Sequence, residues 1–196
     1  RKQRMPAAIV IEHPAHAGGH LGATRLGDVH DGRFEFDVVL PAVQDFLRGA
    51  GLERTVPVIA AGGIRSFEDI RRMQSLGAAA VQMGTAFLCC HEATTSLLHR
   101  AALQVAHGQH TALTNLFSGR PARGIVNRLM RELGPLSALP PDFPHASGAL
   151  APLRAAAEKV GDSGFSPLWA GQNVSGCRSL AAAELIAAWG AEADLA

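Results

Sequence analysis

Short apolar runs that end in glycine organise the first half of the chain. Residues 56–61 and 80–83 are nearly all apolar, and each run is followed at once by glycine. This pattern is typical of strands that are buried on both faces of a parallel sheet. Residues 7–12, which are β-branched in the middle, are predicted to form an earlier strand of the same kind.

Two helical patterns separate these runs. Residues 38–49 have apolar side chains at helical spacing, and glycines follow where the pattern ends. Ser66, with Asp69 three residues later, forms a capping-box pattern at the start of a second helix, which stops at Gly77. The resulting order of strand, helix, strand, helix and strand predicts three parallel strands with right-handed crossovers.

The pattern changes after residue 87. Four later segments have helical spacing, namely residues 96–106, 124–133, 150–160 and 180–189. We therefore divide the chain into βα units at 1–89, a small helical insert at 90–148 and closing helices at 149–196. The insert is expected to act as a lid over the carboxyl ends of the strands. The closing helices are expected to pack back on the βα units.

Composition narrows the classes of function. The chain has 196 residues, of which 47% are hydrophobic and 18% are charged, with 18 basic against 17 acidic side chains. Such a near-neutral globular composition argues against nucleic acid or a membrane as the main partner. The three cysteines have no metal-type spacing, so we predict free thiols and a cytoplasmic location.

Three glycine-ended loops are the strongest chemical signal, at residues 17–20, 61–64 and 82–85. In a parallel barrel the strand ends share one face, so these loops converge on one ligand. Glycine lets backbone N–H groups approach an anion, and Thr85 adds a hydroxyl, although Thr85 is equally suited to cap a helix. A complete TIM-type barrel takes about 250 residues, so we interpret the chain as the C-terminal portion of a larger protein.

Histidines and arginines supply the other candidates. His13, His16 and His20 follow the first strand and, with the glutamate before them, invite a metal site. We expect no metal there, because the two glycines before His20 break any helix that would align the ligands. His20 is the candidate base, since histidine accepts a proton near neutral pH. Arg120 and Arg123 either clamp an anion or lie in an exposed turn.

Five motifs together resemble one known family. They are AGGHLG (17–22), PVIAAGGI (57–64), VQMGTAF (81–87), FSGRPARG (117–124) and LWAGQ (168–172). Their order and spacing are similar to those of the nitronate monooxygenases, formerly called 2-nitropropane dioxygenases. The resemblance implies an α/β fold, a TIM-type (β/α)₈ barrel that binds FMN, with a small helical domain inserted after the last strand. The chain then holds about strands six to eight, the insert and the closing helices.

The resemblance also assigns roles to individual residues. His20 matches the histidine that the family places over the flavin, where it removes the α-proton of a nitroalkane. The implied FMN contacts are Gly18, Gly19, Gly62, Gly63, Gln82, Met83, Gly84, Thr85 and, as a polar contact, Gln172.

Three functions follow as alternatives. The first is FMN-dependent oxidation of alkyl nitronates or nitroalkanes with dioxygen, which involves small-molecule partners and is compatible with a homodimer. The second is an NAD(P)H-dependent FMN oxidoreductase acting on quinones or enoyl thioesters, because a fold and an FMN site do not define the electron donor. The third is a truncated, inactive fragment without cofactor.

Overall fold

Strands and helices alternate along the computed structural model, which describes residues 5–20, 26–106, 110–175 and 177–193. The strands are β1 (Ile9–Glu12), β2 (Gly19–His20), β3 (Val58–Ala61), β4 (Ala80–Gln82), β5 (Thr111–Thr114) and β6 (Ala122–Ile125). The α-helices are α1 (Phe36–Gly49), α2 (Phe67–Ser75), α3 (Leu97–Val105), α4 (Arg128–Leu133), α5 (Ala146–Lys159) and α6 (Ala182–Ala193). Short 3-10 turns cover Leu26–Asp28, Gly32–Phe34 and Thr85–Phe87.

The first sheet is parallel and has the order β1-β3-β4. Helices α1 and α2 pack on it through a core that includes Leu40, Leu47, Val58 and Met73, all of them buried. Of the three strands only β3 is largely buried, whereas the residues of β1 and β4 are half-buried or exposed, so the expectation of burial on both faces does not hold for β4. The predicted α/β fold with parallel strands is confirmed, and the closed barrel stays a prediction, since three strands form an open sheet.

The start of α2 shows how local sequence sets an element boundary. The Asp69 backbone N–H donates to the Ser66 hydroxyl at 3.1 Å, and the Ser66 backbone N–H donates to the Asp69 carboxylate at 3.1 Å. These two bonds satisfy N–H groups that the first turn of a helix leaves without partners. The predicted capping box is confirmed.

The second sheet is antiparallel, has the order β2-β6-β5, and corrects two expectations. We expected only a loop around His20, but Gly19 and His20 pair with Arg123 and Ala122. We also expected an all-helical insert with a helix over 124–133, whereas β6 continues to Ile125 and α4 begins only at Arg128. Every residue of β6 is buried, and a strand buried on both faces cannot be distinguished from a helix by periodicity alone.

The two closing helices have different neighbours. Leu185 and Trp189 of α6 pack with Phe67 of α2, next to the parallel sheet. Ala157 of α5 instead belongs to a cluster with Phe117 and other residues of the insert region. The division of the chain at residues 89 and 148 remains a prediction. Within the described ranges, no helix combines the length and the hydrophobicity that crossing a bilayer requires.

Candidate functional site

A cavity of about 260 Å³ opens at the carboxyl ends of β1, β3 and β4. The loop after each of these strands reaches it, and a fourth segment, around Trp169, closes one side. The lining residues are Glu12, Ala17, Gly18, Gly19, Ala61, Gly62, Gly63, Ile64, Gln82, Met83, Gly84, Thr85, Leu88, Trp169, Ala170, Gly171 and Asn173. The three glycine-ended loops therefore converge on one site, as their positions after parallel strands predict.

Two of these glycines are required by the packing of the cavity wall. Gly63 has a φ of +78°, and a Cβ there would lie 2.8 Å from the Cβ of His16. Gly18 has Gly171 against its backbone, and a Cβ there would lie 2.5 Å from the Gly171 nitrogen. Side chains at these positions would push the loops apart, so glycine keeps the backbone of three loops close together.

Thr85 joins the β4 loop to the Trp169 segment. Its hydroxyl oxygen accepts a hydrogen bond from the Gly171 backbone N–H at 2.9 Å, and its carbonyl accepts one from the Cys177 thiol at 3.3 Å. The residue that caps the 3-10 turn is Gly84, so the alternative role of Thr85 as a helix cap is wrong. A hydroxyl that accepts one bond still has a hydrogen to donate, which leaves Thr85 able to bind an anion.

The cysteines near this site have the properties of unreactive thiols. Cys89, Cys90 and Cys177 are all free thiols, as predicted. Burial raises the pKa of Cys177 to about 12 and also raises the pKa of Cys89. Since the thiolate is the reactive form, we assign these thiols a packing role.

Gln172 does not line the glycine cavity. It lines an adjoining cavity of about 340 Å³ together with His13 and His16, and Gly62 and Gly63 line both cavities. Its backbone N–H donates to the His16 carbonyl at 2.9 Å, which turns this residue away from the glycine cavity. Its neighbours Trp169, Ala170, Gly171 and Asn173 do line the glycine cavity. The LWAGQ motif correctly indicated this segment, but its polar residue, Gln172, does not line the glycine cavity.

His20 lies beside the glycine cavity and lines a third cavity of about 240 Å³. Phe117, Phe143 and Trp169 form apolar walls of this third cavity. Trp169 lines both cavities, and its ring centroid is 6.0 Å from that of His20. Among the contacts of the described residues, the exposed imidazole makes one side-chain hydrogen bond, between Nε2 and the Ser118 hydroxyl at 2.9 Å. Sequence reasoning missed Ser118, which lies 98 residues away.

His13 and His16 form a stacked pair, with ring centroids 3.9 Å apart. His13 is buried; its Nδ1 accepts from the Ala15 backbone N–H at 3.2 Å, and its Nε2 lies 3.3 Å from Glu35 Oε2. Both ring nitrogens of His13 thus have partners inside the protein. Burial and the neighbouring His13 lower the pKa of His16, which favours the neutral form of its ring. We assign this pair a structural role in holding the loop that leads to Gly18.

The two arginines of the FSGRPARG motif do not line the glycine cavity. Arg123 is buried on β6, and its guanidinium donates to the carbonyl and the hydroxyl of Thr111, both at 3.3 Å. Burial lowers the pKa of Arg123. For Arg123, the interpretation as part of an exposed turn is therefore wrong.

Comparison with known proteins gives a consistent set of relatives. A family model described as nitronate monooxygenase matches residues 2–191. A nitronate monooxygenase of Pseudomonas aeruginosa is 39% identical over 183 residues, which is 92% of this chain and 49% of that protein. A probable nitronate monooxygenase of Bacillus subtilis is 36% identical over 166 residues, covering 85% of this chain and 46% of that protein.

Solved structures agree with these sequence relatives. The structure described as a nitroalkane oxidase from Streptomyces ansochromogenes is 36% identical, with a TM-score of 0.77, and the match covers 95% of this chain and 51% of that one. FabK from Thermotoga maritima has a TM-score of 0.66 at 23% identity, with coverage of 95% and 54%, a likeness of fold alone. The chain spans about half the length of the relatives it matches.

Proposed function

Because the chain belongs to the nitronate monooxygenase family, we propose that it contributes the FMN site and the base of an enzyme that oxidises alkyl nitronates and nitroalkanes with dioxygen. One observation carries the proposal. Eight of the nine residues that the resemblance assigns to FMN line one cavity at the strand ends, with only Gln172 outside it. The candidate base follows directly after one of the eight.

The residues of the cavity suit the phosphate end of a flavin nucleotide. A Cβ added at Gly84 would have no heavy atom within 4 Å, so this backbone faces open space that a ligand can enter. No arginine or lysine lines the cavity among the described residues. Phosphate binding here therefore depends on backbone N–H groups and the Thr85 hydroxyl, which is the use that glycine-rich loops have in other phosphate sites.

The residues that line the glycine cavity and the His20 cavity suit different parts of the reaction. Gly62, Gly63, Gly84 and Thr85 would hold the phosphate end of FMN, and Trp169 marks the border toward His20. Bound FMN supplies electron transfer between the substrate carbon and dioxygen. The aromatic walls of the His20 cavity offer an apolar surface for the alkyl group of the substrate.

His20 performs the proton transfer in this proposal. The imidazole takes the α-proton of a neutral nitroalkane, and the electrons of the broken C–H bond form the C=N bond of the nitronate. A positioned base of this kind contributes about 10²–10⁴-fold to the rate. A nitronate that is already anionic needs no such step.

We also propose that the parallel sheet corresponds to about strands six to eight of a (β/α)₈ barrel, with residues 90–148 lying over the strand ends. The support is that the parallel strands stand side by side in the order in which they occur in the chain. In addition, β2, which lies in the segment after β1, pairs with β6 of the insert region. Phosphate sites in such barrels commonly follow the last two strands.

The test of the function is the identity of the reductant. Purified protein is loaded with FMN, freed of excess flavin, and mixed without oxygen with either ethyl nitronate or NADH while the flavin absorbance is recorded. Bleaching by the nitronate and not by NADH is the expected result. Bleaching by NADH alone would support the reductase alternative, and failure to retain FMN would support the inactive fragment.

A further inference from the structure

Within the part of the chain that the structure describes, the polar contact of the His20 ring is with a serine on a rigid turn. Ser118 is 7% exposed, and its hydroxyl lies 2.9 Å from His20 Nε2. The next residue, Gly119, has a φ of +83°, and a Cβ there would collide with the backbone of residues 141–143. The Gly119 N–H also donates to the Asn115 carbonyl at 2.8 Å. The serine is thus held in place independently of the histidine.

The other hydrogen bonds of Ser118 indicate which of the two side chains, Ser118 or His20, donates the hydrogen bond between them. Its hydroxyl donates to the Arg120 carbonyl at 2.9 Å, and its oxygen accepts from the Arg120 backbone N–H at 3.3 Å. A serine hydroxyl has one hydrogen, and a hydroxyl that donates to the Arg120 carbonyl cannot also donate to His20. In that arrangement the Ser118 oxygen accepts from His20, which places the hydrogen on Nε2 and the lone pair on Nδ1.

We propose that Ser118 is the positioning residue of His20, which selects the neutral tautomer protonated at Nε2 and leaves Nδ1 as the atom that removes the substrate proton. The proposal rests on the proposed role of His20 as base. The α-proton moves to Nδ1, and the C–H electron pair remains on the substrate as the nitronate. The imidazolium that forms keeps its Nε2–H bond to Ser118, and a hydrogen bond strengthens when its donor becomes charged.

The aromatic neighbours have a separate effect on the ring. Phe143 meets the His20 ring edge to face at 5.6 Å, and Trp169 is tilted against it at 6.0 Å. These contacts restrict the plane of the ring but do not distinguish its two nitrogens. Only the Ser118 hydroxyl, among the contacts described, makes Nε2 and Nδ1 chemically different.

The first test measures the tautomer directly and does not use activity. ¹⁵N-histidine NMR of the FMN-loaded protein, with the His20 signals assigned by their loss in His20→Asn, is expected to show a protonated Nε2 and an unprotonated Nδ1. In Ser118→Ala the two nitrogens are expected to average toward a mixture of tautomers. A His20 protonated at Nδ1 in the unaltered protein would overturn the proposal.

The second test uses kinetics with a matched control. Ser118→Ala should lower the rate with neutral nitroethane by about tenfold, the usual effect of one hydrogen bond to a group that becomes charged, and should leave oxidation of ethyl nitronate unchanged. It should also shift the pH profile for nitroethane, because the imidazolium loses its acceptor. Ser118→Thr, which keeps the hydroxyl, should have the rate and the pH profile of the unaltered protein with nitroethane.

Ser137→Ala is the control for a purely structural effect. The Ser137 hydroxyl accepts from the backbone N–H two residues later at 3.2 Å, as Ser118 does, but Ser137 has no contact with His20 among the bonds described. An unchanged pH profile in Ser118→Ala, or equal losses in both alanine variants, would overturn the proposal. If Ser118→Ala does not fold, the tautomer of His20 measured in the unaltered protein tests the proposal by itself. If His20→Asn has normal nitroethane activity, the proposed base is wrong, while the NMR result still tests the tautomer.

Discussion

The two sheets of this protein differ in how far apart their partners lie in the chain. In the parallel sheet, each strand pairs with the next strand of a βα unit, and helices cover the intervals. In the antiparallel sheet, β2 pairs with β6 across about a hundred residues, since Gly19 lies opposite Arg123. The loops of the first sheet form the glycine cavity, and the second sheet positions His20, the candidate base. Binding and proton transfer thus depend on different parts of the fold.

The difference extends to the chemistry of the two cavities. The glycine cavity is lined by small residues, and Glu12 is the acidic residue among the described residues that line it. The His20 cavity has aromatic walls, with Ser118 and Arg154 among its polar residues. Changes at the first site should therefore act on flavin binding, and changes at the second should act on the reaction of neutral substrate.

His20→Asn tests the second site and has the largest expected effect. Oxidation of neutral nitroethane should fall by about 10²–10⁴-fold because the base is lost, while FMN binding and oxidation of ethyl nitronate persist. The comparison of steady-state rates with the two substrates is the measurement. Equal losses with both substrates at unchanged flavin content would show that His20 positions the substrate or tunes the flavin.

Gly84→Val tests the first site. The φ of −109° at this position is open to any residue, so the fold should tolerate valine, but its side chain would occupy the open space of the cavity. FMN affinity should fall by about 10–100-fold, in line with the cost of overpacking. Fluorescence titration of FMN measures it. Gly49→Val, which also adds a side chain to open space but at the end of α1, is the control. Full flavin retention in Gly84→Val would contradict the site.

Thr85→Ala tests the link between the parallel sheet and the Trp169 segment. The change removes the acceptor of the buried Gly171 N–H, and an unpaired buried donor costs about 1–3 kcal/mol. Urea unfolding should show this loss. The matched control is Thr55→Ala, because the Thr55 hydroxyl donates to the Leu52 carbonyl at an exposed site. Similar stability of the two variants would show that the Thr85 bond contributes little.

His16→Gln has the smallest expected effect and concerns pH. Burial, together with His13, lowers the pKa of His16 below 6.5, so the unfolded chain binds the proton first as the pH falls. The contribution of His16 to the free energy of unfolding should therefore be fully present above about pH 6.5 and should be lost as the pH falls below that value. Urea unfolding at about pH 7.5 and about pH 5.5 should show a smaller difference in His16→Gln. The exposed His145, changed to Gln, is the control. An unaltered pH dependence in His16→Gln would exclude His16 as its source.

Much of the parallel sheet could be predicted because its signals are local. An apolar run followed by glycine marks a strand end, and the Ser66–Asp69 pair marks a helix start. The convergence of the glycine loops follows from the geometry of parallel strands. The helical interpretation of 124–133 was wrong at its beginning, because the strand that ends at Ile125 is buried on both faces and has no period-two pattern.

What the sequence by itself determined is the order of strands and helices in the parallel sheet and the convergence of eight glycine-loop residues on one cavity. The order follows from local patterns in the chain, and the convergence follows from the geometry of parallel strands. Only the tertiary structure decided that Gln172 faces away from that cavity and that Ser118 meets His20. Each of these outcomes depends on a hydrogen bond between segments about a hundred residues or more apart. Such a pairing has no local periodicity or spacing, because it exists only when both segments are packed.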